Sequence, residues 1–394
     1  MVKNAQVFLS SIVVVYDTSE GGGDNGGGDE GGDTPVITSG TGLYQLVTSA
    51  DELSDGNIVL IVNQSSKVAL GYKPSGSNRK AASITLSEDK KSISTTYATS
   101  SSDEEHAYQV QLVATDGGFY LFDIANQKYL NSGTGTSNNM YLVQNADASN
   151  GITTISINNT NQQATIKFNG DGNIKYLRCN TANNTGELFS CYANNKQQPV
   201  YLYKRVESIS ISSAGLATYA SDNILSFTDV DGLEAYIAKD DKNTITLKQV
   251  QKVPAGTGIL LRATDGGNKS YSVPVTAEMT DDMTGNLFVR GTGAAVATAG
   301  ENSTNYILNI VDDVLGFYRA AGNTVATNRA YLQVPNGEGG ETRAFIGINF
   351  DTNTGITNFE VSKVNGTAYD LQGRRVNEPK HGLYIINGKK MFIK

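Results

Sequence analysis

The chain has no tryptophan, and cysteine, histidine and proline are scarce: its 394 residues include two cysteines, two histidines and seven prolines. Two thiols without nearby histidines are too few for a structural zinc site, which takes four ligands. No apolar run reaches the length of about 18 residues that a membrane-spanning helix needs. The sequence therefore predicts neither a metal centre nor a transmembrane segment.

Sequence motifs for catalysis are missing as well. The chain contains no G-x-S-x-G, H-E-x-x-H or P-loop pattern, so it indicates no nucleophilic triad, metalloprotease site or nucleotide site. His106 and His381 lie in polar segments, and we interpret both as surface residues. We predict no catalytic residue, no metal ligand and no cofactor.

One catalytic alternative needs no histidine, because two carboxylates can hydrolyse a glycosidic bond. Closely spaced acids occur at Glu104 and Glu105, Asp229 and Asp231, Asp240 and Asp241, and Asp281 and Asp282. Each pair lies in a turn-rich segment, where acids are expected as solvated residues. Two distant carboxylates could still converge, so a glycan-active hydrolase stays open as the alternative.

The charge balance and the cysteines limit the partners and the compartment. The formal net charge is −8, which argues against nucleic acid, because phosphate binding requires a basic surface. Cys179 and Cys191 flank a turn-rich segment between two strand-like runs. A disulfide is the natural interpretation in an exported protein, and two buried free thiols are the alternative.

What the sequence does contain is typical of strands. Glycine is frequent at 42 residues, and apolar residues alternate in many short runs, while helical periodicity over ten or more residues is hard to find. This pattern suits strands joined by tight turns. We predict an all-β protein: a β-trefoil-like or barrel domain, then a β-sandwich or jelly-roll-like domain, then a short C-terminal β tail.

Changes in composition divide the chain into five parts. Residues 1–17 are apolar but lack a small-residue cleavage site, so we predict the closing strand of an upstream domain in a longer gene, with a weak export signal as the alternative. Residues 18–42 are a Gly/Asp-rich linker. Residues 43–206 and 207–356 are the two β domains, and residues 357–394 are the tail.

Three segments of the first domain resemble one another. They begin at Gly56, Gly117 and Gly172, and each runs from a glycine turn through apolar alternation to a polar, Asn-containing turn. Repetition on this scale indicates a repeated structural unit. Three four-stranded units would make a β-trefoil, and a Greek-key barrel is the alternative.

The aromatic residues suggest one ligand class. The chain has 20 tyrosines and 12 phenylalanines, and aromatic rings can stack on sugars. Tyr72, Tyr129 and Tyr176 lie near the ends of the three repeated segments, which makes them candidate glycan-facing residues. Packing against the core is the alternative role for each tyrosine.

The last 28 residues, 367–394, are distinctive, with six Lys or Arg against two acidic residues in an acidic chain. They predict short strands, a turn at Gly373 and a final hairpin turning at Asn387-Gly388. The characteristic positions are Tyr369, Asp370, Leu371, Gly373, Arg374, Arg375, Val376, Gly382, Tyr384, Gly388, Lys389, Lys390 and Lys394.

This tail resembles the type A C-terminal sorting domain of proteins exported by the type IX secretion system of Bacteroidetes. The resemblance implies recognition by the type IX translocon and its sorting machinery, followed by release or anchoring at the cell surface. The full sorting domain is an immunoglobulin-like sandwich, which is larger than this tail. Segments of the body, such as VQKVPAGTGILLRA and QQPVYLYKR, are similar to modules of Bacteroides and Prevotella surface proteins.

These observations lead to one expectation for function. We expect an extracellular or outer-membrane surface protein without its own catalytic site, which acts as a binding or structural module, on glycans or in adhesion. The alternative is a glycan-active hydrolase, or the accessory C-terminal part of a larger surface enzyme.

Overall fold

The structure, a computed structural model, describes residues 40–336 apart from 75–76, 134–136, 183–185, 195 and 242–243, together with residues 345–348, 355–356, 368–369, 375–376, 382–386 and 389–393. The predicted all-β class is confirmed, because the described part contains 33 strands and one turn of 3-10 helix at Ala50–Glu52. Within it, no helix has the length and apolar character needed to cross a membrane. The upstream strand and most of the linker predicted for residues 1–42 lie outside the described residues.

The first part of the chain forms strands β1 (Gly40–Leu46), β2 (Ile58–Asn63), β3 (Val68–Leu70), β4 (Arg79–Ser83), β5 (Ser92–Tyr97), β6 (Val110–Thr115), β7 (Gly118–Asp123), β8 (Lys128–Ser132), β9 (Met140–Val143), β10 (Ile152–Ile157), β11 (Ala164–Phe168), β12 (Ile174–Asn180), β13 (Leu188–Ala193) and β14 (Tyr201–Ile211).

Nine of these strands pair around a ring. The antiparallel pairings run β2-β3-β4-β13-β12-β11-β10-β7-β6 and then return to β2. Buried side chains from seven of the nine, such as Ile61, Val110, Phe168 and Leu177, form one hydrophobic core. Strands β14, β1 and β5 continue the sheet from β2 in that order, and Leu60 and Val62 on the other face of β2 belong to a second core with Tyr44, Ile93 and Tyr203. Strand β2 is therefore buried on both faces.

The three sequence repeats are also structural repeats. Gly56, Gly117 and Gly172 have positive φ angles of 70°, 92° and 94°, a conformation that glycine adopts at little steric cost. Each glycine precedes the first strand of a paired set, namely β2–β3, β7–β8 and β12–β13. The predicted glycine turns are thus present, while the trefoil or barrel form of the domain stays a prediction.

A polar side chain stabilises the turn after the first strand of each repeat. Its oxygen accepts a hydrogen bond from a backbone N–H two or three residues later, an arrangement typical of turns that begin with Asn or Asp. The three bonds join Asn63 to Ser66 at 2.9 Å, Asp123 to Asn126 at 3.0 Å, and Asn180 to Ala182 at 3.0 Å. The polar turns predicted at the end of each repeat have this physical basis.

The second part of the chain forms strands β15 (Leu216–Tyr219), β16 (Leu225–Ser226), β17 (Leu233–Asp241), β18 (Thr244–Val250), β19 (Lys252–Val253), β20 (Ile259–Ala263), β21 (Lys269–Pro274), β22 (Phe288–Arg290), β23 (Ala295–Val296), β24 (Ser303–Val311), β25 (Val314–Arg319), β26 (Asn323–Thr324), β27 (Ala330–Pro335), β28 (Phe345–Gly347) and β29 (Gly355–Ile356).

These strands build three layers. Strand β21 pairs with the second half of β14 to form a ribbon, β15-β20-β17-β18-β29 form a middle sheet, and β22-β27-β24-β25-β28 form an outer sheet. Side chains alternate between the faces of a strand, so Ile237 packs towards the ribbon while Tyr236 packs towards the outer sheet. A sandwich, as the sequence predicts, has two layers. In the structure the middle sheet is covered on both faces, so this part of the chain has three layers.

Strand β14 belongs to both parts of the chain. Tyr201 to Lys204 pair with β2, and Val206 to Ile211 pair with β21. The boundary predicted between residues 206 and 207 therefore falls inside a continuous strand. Because β14 is continuous, it joins the ribbon of the second part directly to the ring of the first part.

The tail forms a separate sheet. Its strands are β30 (Ala368–Tyr369), β31 (Arg375–Val376), β32 (Gly382–Ile386) and β33 (Lys389–Ile393), in the order β31-β30-β32-β33. Ile386 pairs with Lys389, which leaves residues 387 and 388 as the connection between β32 and β33. The strand positions agree with the short strands and final hairpin that the sequence predicts.

The two cysteines lie on neighbouring strands of the ring, and both are fully buried. Cys179 is opposite Phe189 and Cys191 is opposite Leu177, so the two thiols are diagonal neighbours. Diagonal positions lie about 7–8 Å apart, whereas the Cα atoms of a disulfide are about 4–7 Å apart. Both cysteines are free thiols in the structure, so it has the buried thiols and not the disulfide.

We expect both thiols to be unreactive in the native protein. Burial raises the pKa of Cys179 and of Cys191 to about 12, so at pH 8 neither forms the thiolate that attacks a disulfide reagent. Labelling with such a reagent should be negligible in native buffer and should reach two thiols per chain in concentrated urea. Rapid native labelling, or an intact mass that shows a disulfide without reductant, would contradict this account.

Candidate functional site

A cleft of about 840 Å³ opens where the three layers of the second part meet. The ribbon contributes one wall through residues 210–212 and 268–270, and the edge strand β15 contributes residues 216–218. The outer sheet and the segment that follows β25 contribute the opposite wall, through residues 307–308 and 323–330. This volume lies within the range of about 300–1,000 Å³ that is usual for ligand sites.

Hydroxyl and amide groups supply the polar lining of the cleft. The polar lining residues are Ser210, Ser212, Thr218, Asn268, Lys269, Ser270, Asn323, Thr324 and Arg329. Ser210 pairs with Ser270 across the ribbon, and their hydroxyl oxygens are 2.7 Å apart. Such groups can both donate and accept hydrogen bonds, so the lining can recognise a ligand rich in hydroxyl groups.

Aliphatic side chains supply the rest of the lining. They are Ile211, Leu216, Ala217, Ile307, Leu308, Val325, Ala326 and Ala330. Of these, Leu216 and Leu308 are half-buried and pack against the core between the middle and outer sheets. The cleft thus combines an apolar surface with convergent polar groups, which is the usual composition of a binding site.

Two cations of the cleft are held by neighbouring groups. The Arg329 guanidinium donates to the Thr218 carbonyl at 3.1 Å and so joins the two walls. The Lys269 ammonium lies 2.5 Å from the Asp265 carboxylate. Hydrogen bonds from Lys269 and then from Tyr271 lower the pKa of Asp265 to about 2. Both positive groups therefore have defined positions at the cleft.

A second polar centre lies in the first part, at the ends of β7 and β8. The Arg79 guanidinium contacts the Asp123 carboxylate at 2.6 Å, and neither side chain has exposed surface. Arg79 also donates to the Gly71 carbonyl at 2.8 Å, and its guanidinium lies 5.0 Å from the centre of the Tyr108 ring. Asp123 also stabilises the turn that begins after β7, as described above. The pair therefore connects β4 with β7, 44 residues apart.

The three candidate tyrosines are half-buried and lie at different places in the first part. Tyr72 packs against the core of the ring, and Tyr176 lies on β12 opposite Tyr192. Tyr129, on β8, makes edge contacts with Tyr120 and Phe122 at ring distances of 6.0 and 5.0 Å. No contact joins the three tyrosines in the described structure, and none of them lines the cleft.

His106 and the paired acids lie in turns and at strand ends. His106 is within 2.9 Å of Asp103, and His381 lies outside the described residues. Asp281 accepts hydrogen bonds from the backbone of Gln251 and Lys252 at 2.7 and 3.2 Å, which makes it a turn-stabilising residue. In the described part of the chain, no three His, Cys, Asp or Glu side chains cluster as metal ligands would.

Part of the predicted sorting signal can be placed. Tyr369 lies on β30, Arg375 and Val376 on β31, Gly382 and Tyr384 on β32, and Lys389 and Lys390 on β33. Asp370, Leu371, Gly373, Arg374, Gly388 and Lys394 lie outside the described residues. The Arg375 side chain is exposed, so it is accessible to a partner.

Sequence reasoning identified neither the cleft nor the buried ion pair. The cleft is lined by ordinary serine, threonine and asparagine residues from four separate segments, and no local motif marks them. Arg79 and Asp123 lie in unrelated segments as well. One difference between the repeats could have indicated the ion pair. The first repeat has Asn63 at the start of its turn, whereas the second has the charged residue Asp123 at the corresponding position. A buried charge requires a partner of opposite charge.

A comparison of the chain with models of known protein families and with curated proteins finds no match. The function therefore has to be inferred from the sites described above.

The ion pair should be important for stability. Asp123→Ala leaves a buried guanidinium without its partner, and we expect it to lower the free energy of unfolding by about 3–5 kcal/mol. Glu104→Ala is a matched control, because the Lys80–Glu104 pair is exposed and should contribute at most about 1 kcal/mol. Urea unfolding monitored by circular dichroism measures both changes.

A double variant separates the pair's attraction from the cost of an unpaired charge. Arg79→Met combined with Asp123→Leu should regain part of the stability lost in Asp123→Ala, because it removes both charges while the turn still lacks the hydrogen bond from Asn126 to Asp123. Equal losses in Asp123→Ala and in Glu104→Ala would show that the pair is not important for stability.

Proposed function

We propose that the chain is a secreted or cell-surface binding module that holds a glycan in the cleft of its second part and has no catalytic site of its own. The observation that carries the proposal is the lining of this cleft, where hydroxyl and amide groups converge above aliphatic side chains. Sugar rings present the complementary surface, with hydroxyl groups at their edges and C–H groups on their faces.

The same lining favours binding over hydrolysis. Glycosidases place two carboxyl groups on either side of the scissile bond, whereas none of the described residues that line the cleft is Asp or Glu. Lys269 and Arg329 add positive charge instead. Asp281 and Asp282 line a separate cavity of about 360 Å³, and the backbone contacts of Asp281 give that residue a structural role.

Binding can be tested with an immobilised oligosaccharide panel and the full chain. Thr324 is exposed at the cleft, so Thr324→Tyr should block entry without removing a core contact. We expect its affinity for a bound glycan to fall at least about tenfold, equivalent to about 1.4 kcal/mol. Ser101→Tyr, in an exposed turn of the first part, is the matched control and should bind as the unmodified protein does.

The possible outcomes separate the candidate functions. Loss of binding in Thr324→Tyr alone supports the cleft. Equal binding by both variants, or no binding of any glycan, would overturn the proposal. Release of shorter sugars from the panel would establish the hydrolase alternative instead.

We also propose that the tail directs export through the type IX system. Support comes from the residue pattern of the tail and from its strands, which pair as a sheet of their own with a final hairpin. Exposed positive charge at Arg375 suits recognition by a sorting partner. Release and anchoring are both compatible with this arrangement.

Deletion of residues 367–394 tests the tail. In a Bacteroidetes host that has a working type IX system, we expect the shortened protein to accumulate in the periplasm, since the sorting signal is gone. Surface labelling and cell fractionation measure its location. The full-length protein is the control, and unchanged surface display of the shortened protein would show that the tail is not a sorting signal.

A further inference from the structure

An excess of positive charge surrounds the buried Arg79–Asp123 pair. Lys128 is the residue directly opposite Asp123 in the β7–β8 pairing, and paired residues of an antiparallel sheet lie on the same face. Lys73 belongs to the segment between β3 and β4, next to Tyr72. Both lysines are partly exposed, so they form the solvent side of a centre whose buried side is the ion pair.

The charges of this centre do not balance. Three cations, Lys73, Arg79 and Lys128, share one carboxylate, that of Asp123. Among the described residues, neither Lys73 nor Lys128 has an acidic side chain within ion-pair distance, and Asp123 is already paired with Arg79 at 2.6 Å. This local excess of positive charge contrasts with the net charge of −8 of the whole chain. It is also unfavourable, because like charges repel more strongly where water is partly excluded.

The pKa of Lys73 reflects the same repulsion. Burial lowers this pKa, and the nearby charges of Arg79 and Lys128 lower it further, with a smaller opposing effect from Asp123. The cationic form of Lys73 is therefore destabilised where it stands. A bound anion would reverse that effect, since an opposite charge nearby favours the charged form.

The ion pair also leaves one hydrogen-bond donor unused. Arg79 Nε donates to Gly71 and Nη1 contacts Asp123, while Nη2 is buried without a hydrogen-bond partner. An unsatisfied buried donor costs about 1–3 kcal/mol. With Nε and Nη1 already bonded, the buried Arg79 adds one unsatisfied N–H group and a positive charge close to Lys73.

We infer that Lys73 and Lys128, with the buried positive charge of Arg79 behind them, form a binding site for an oxyanion at the ends of strands β7 and β8, and that this anion is a carboxylate or sulfate group of an acidic sugar. The site is separate from the cleft. Its assignment to a sugar rests on the proposed glycan-binding function, whereas its assignment to an oxyanion rests on the charges alone.

Calorimetric titration of the full chain with three probes tests the site. The probes are inorganic sulfate, a galacturonate oligomer and the corresponding neutral galactose oligomer. We expect the galacturonate to bind at least about tenfold more tightly than the neutral sugar and to weaken as salt is added. Lys73→Gln and Lys128→Gln should each weaken galacturonate binding at least fivefold, while Lys91→Gln, at an exposed position of the same part, should have no effect.

Each outcome decides a different point. Sulfate binding that is lost in Lys73→Gln and Lys128→Gln supports the oxyanion site. If sulfate binds in this way and galacturonate does not, the site binds an oxyanion that is not part of an acidic sugar. Equal affinity for the neutral and acidic oligomers, or equal affinity in all three lysine variants, overturns the site. The Thr324→Tyr variant should leave galacturonate binding here unchanged, which distinguishes failure of this site from failure of the cleft.

Discussion

The antiparallel pairing of β14 is the constraint on which the rest of the structure depends. The strand has 11 residues and contributes to three hydrophobic cores: Leu202 to the core of the ring, Tyr203 to the core beneath β1 and β5, and Ile209 to the core of the second part. A shift of one residue would turn each side chain to the opposite face of its sheet. Its register with β1, β2 and β21 is therefore fixed by all three cores together.

The cleft is a consequence of this constraint. Because β14 leaves the ring and continues as one edge of the ribbon, Ser210 and Ile211 reach the place where β15 and the outer sheet meet. Arg329 then joins two walls of the cleft through the Thr218 carbonyl. The buried ion pair acts in a similar way in the first part, where it connects β4 with β7 and leaves the two neighbouring lysines on the solvent side.

Local features of the fold could be predicted from the sequence, and long-range features could not. The repeats at Gly56, Gly117 and Gly172 were visible because a positive φ and an alternating strand leave a short-range pattern. The apolar alternation in LEAYIAK and TITLKQV, which form most of β17 and all of β18, is a short-range pattern of the same kind. The boundary at residue 206 was placed inside β14 because the composition changes there while the strand continues.

Local sequence patterns could not predict the candidate sites. The cleft assembles from five segments between residues 210 and 330, and Arg79 meets Asp123 across 44 residues. Contacts between such distant residues depend on which strands pair. The alternation of apolar and polar residues along a strand does not determine which strand is its partner. The tyrosines were selected by their position in the repeats, and the structure gives Tyr72 and Tyr129 packing contacts instead of a shared surface. The trefoil or barrel description likewise stays a prediction.

The central claim is that the cleft beside β14 is the binding site. Its most direct test is hydrogen–deuterium exchange measured with and without a bound glycan. Exchange reports local opening of backbone hydrogen bonds, and a ligand in the cleft should slow it in peptides covering residues 208–218, 268–272 and 321–328. The account predicts protection in these three segments together, with little change in β10 and β11. Protection confined to other segments, or none at a saturating glycan concentration, would contradict it.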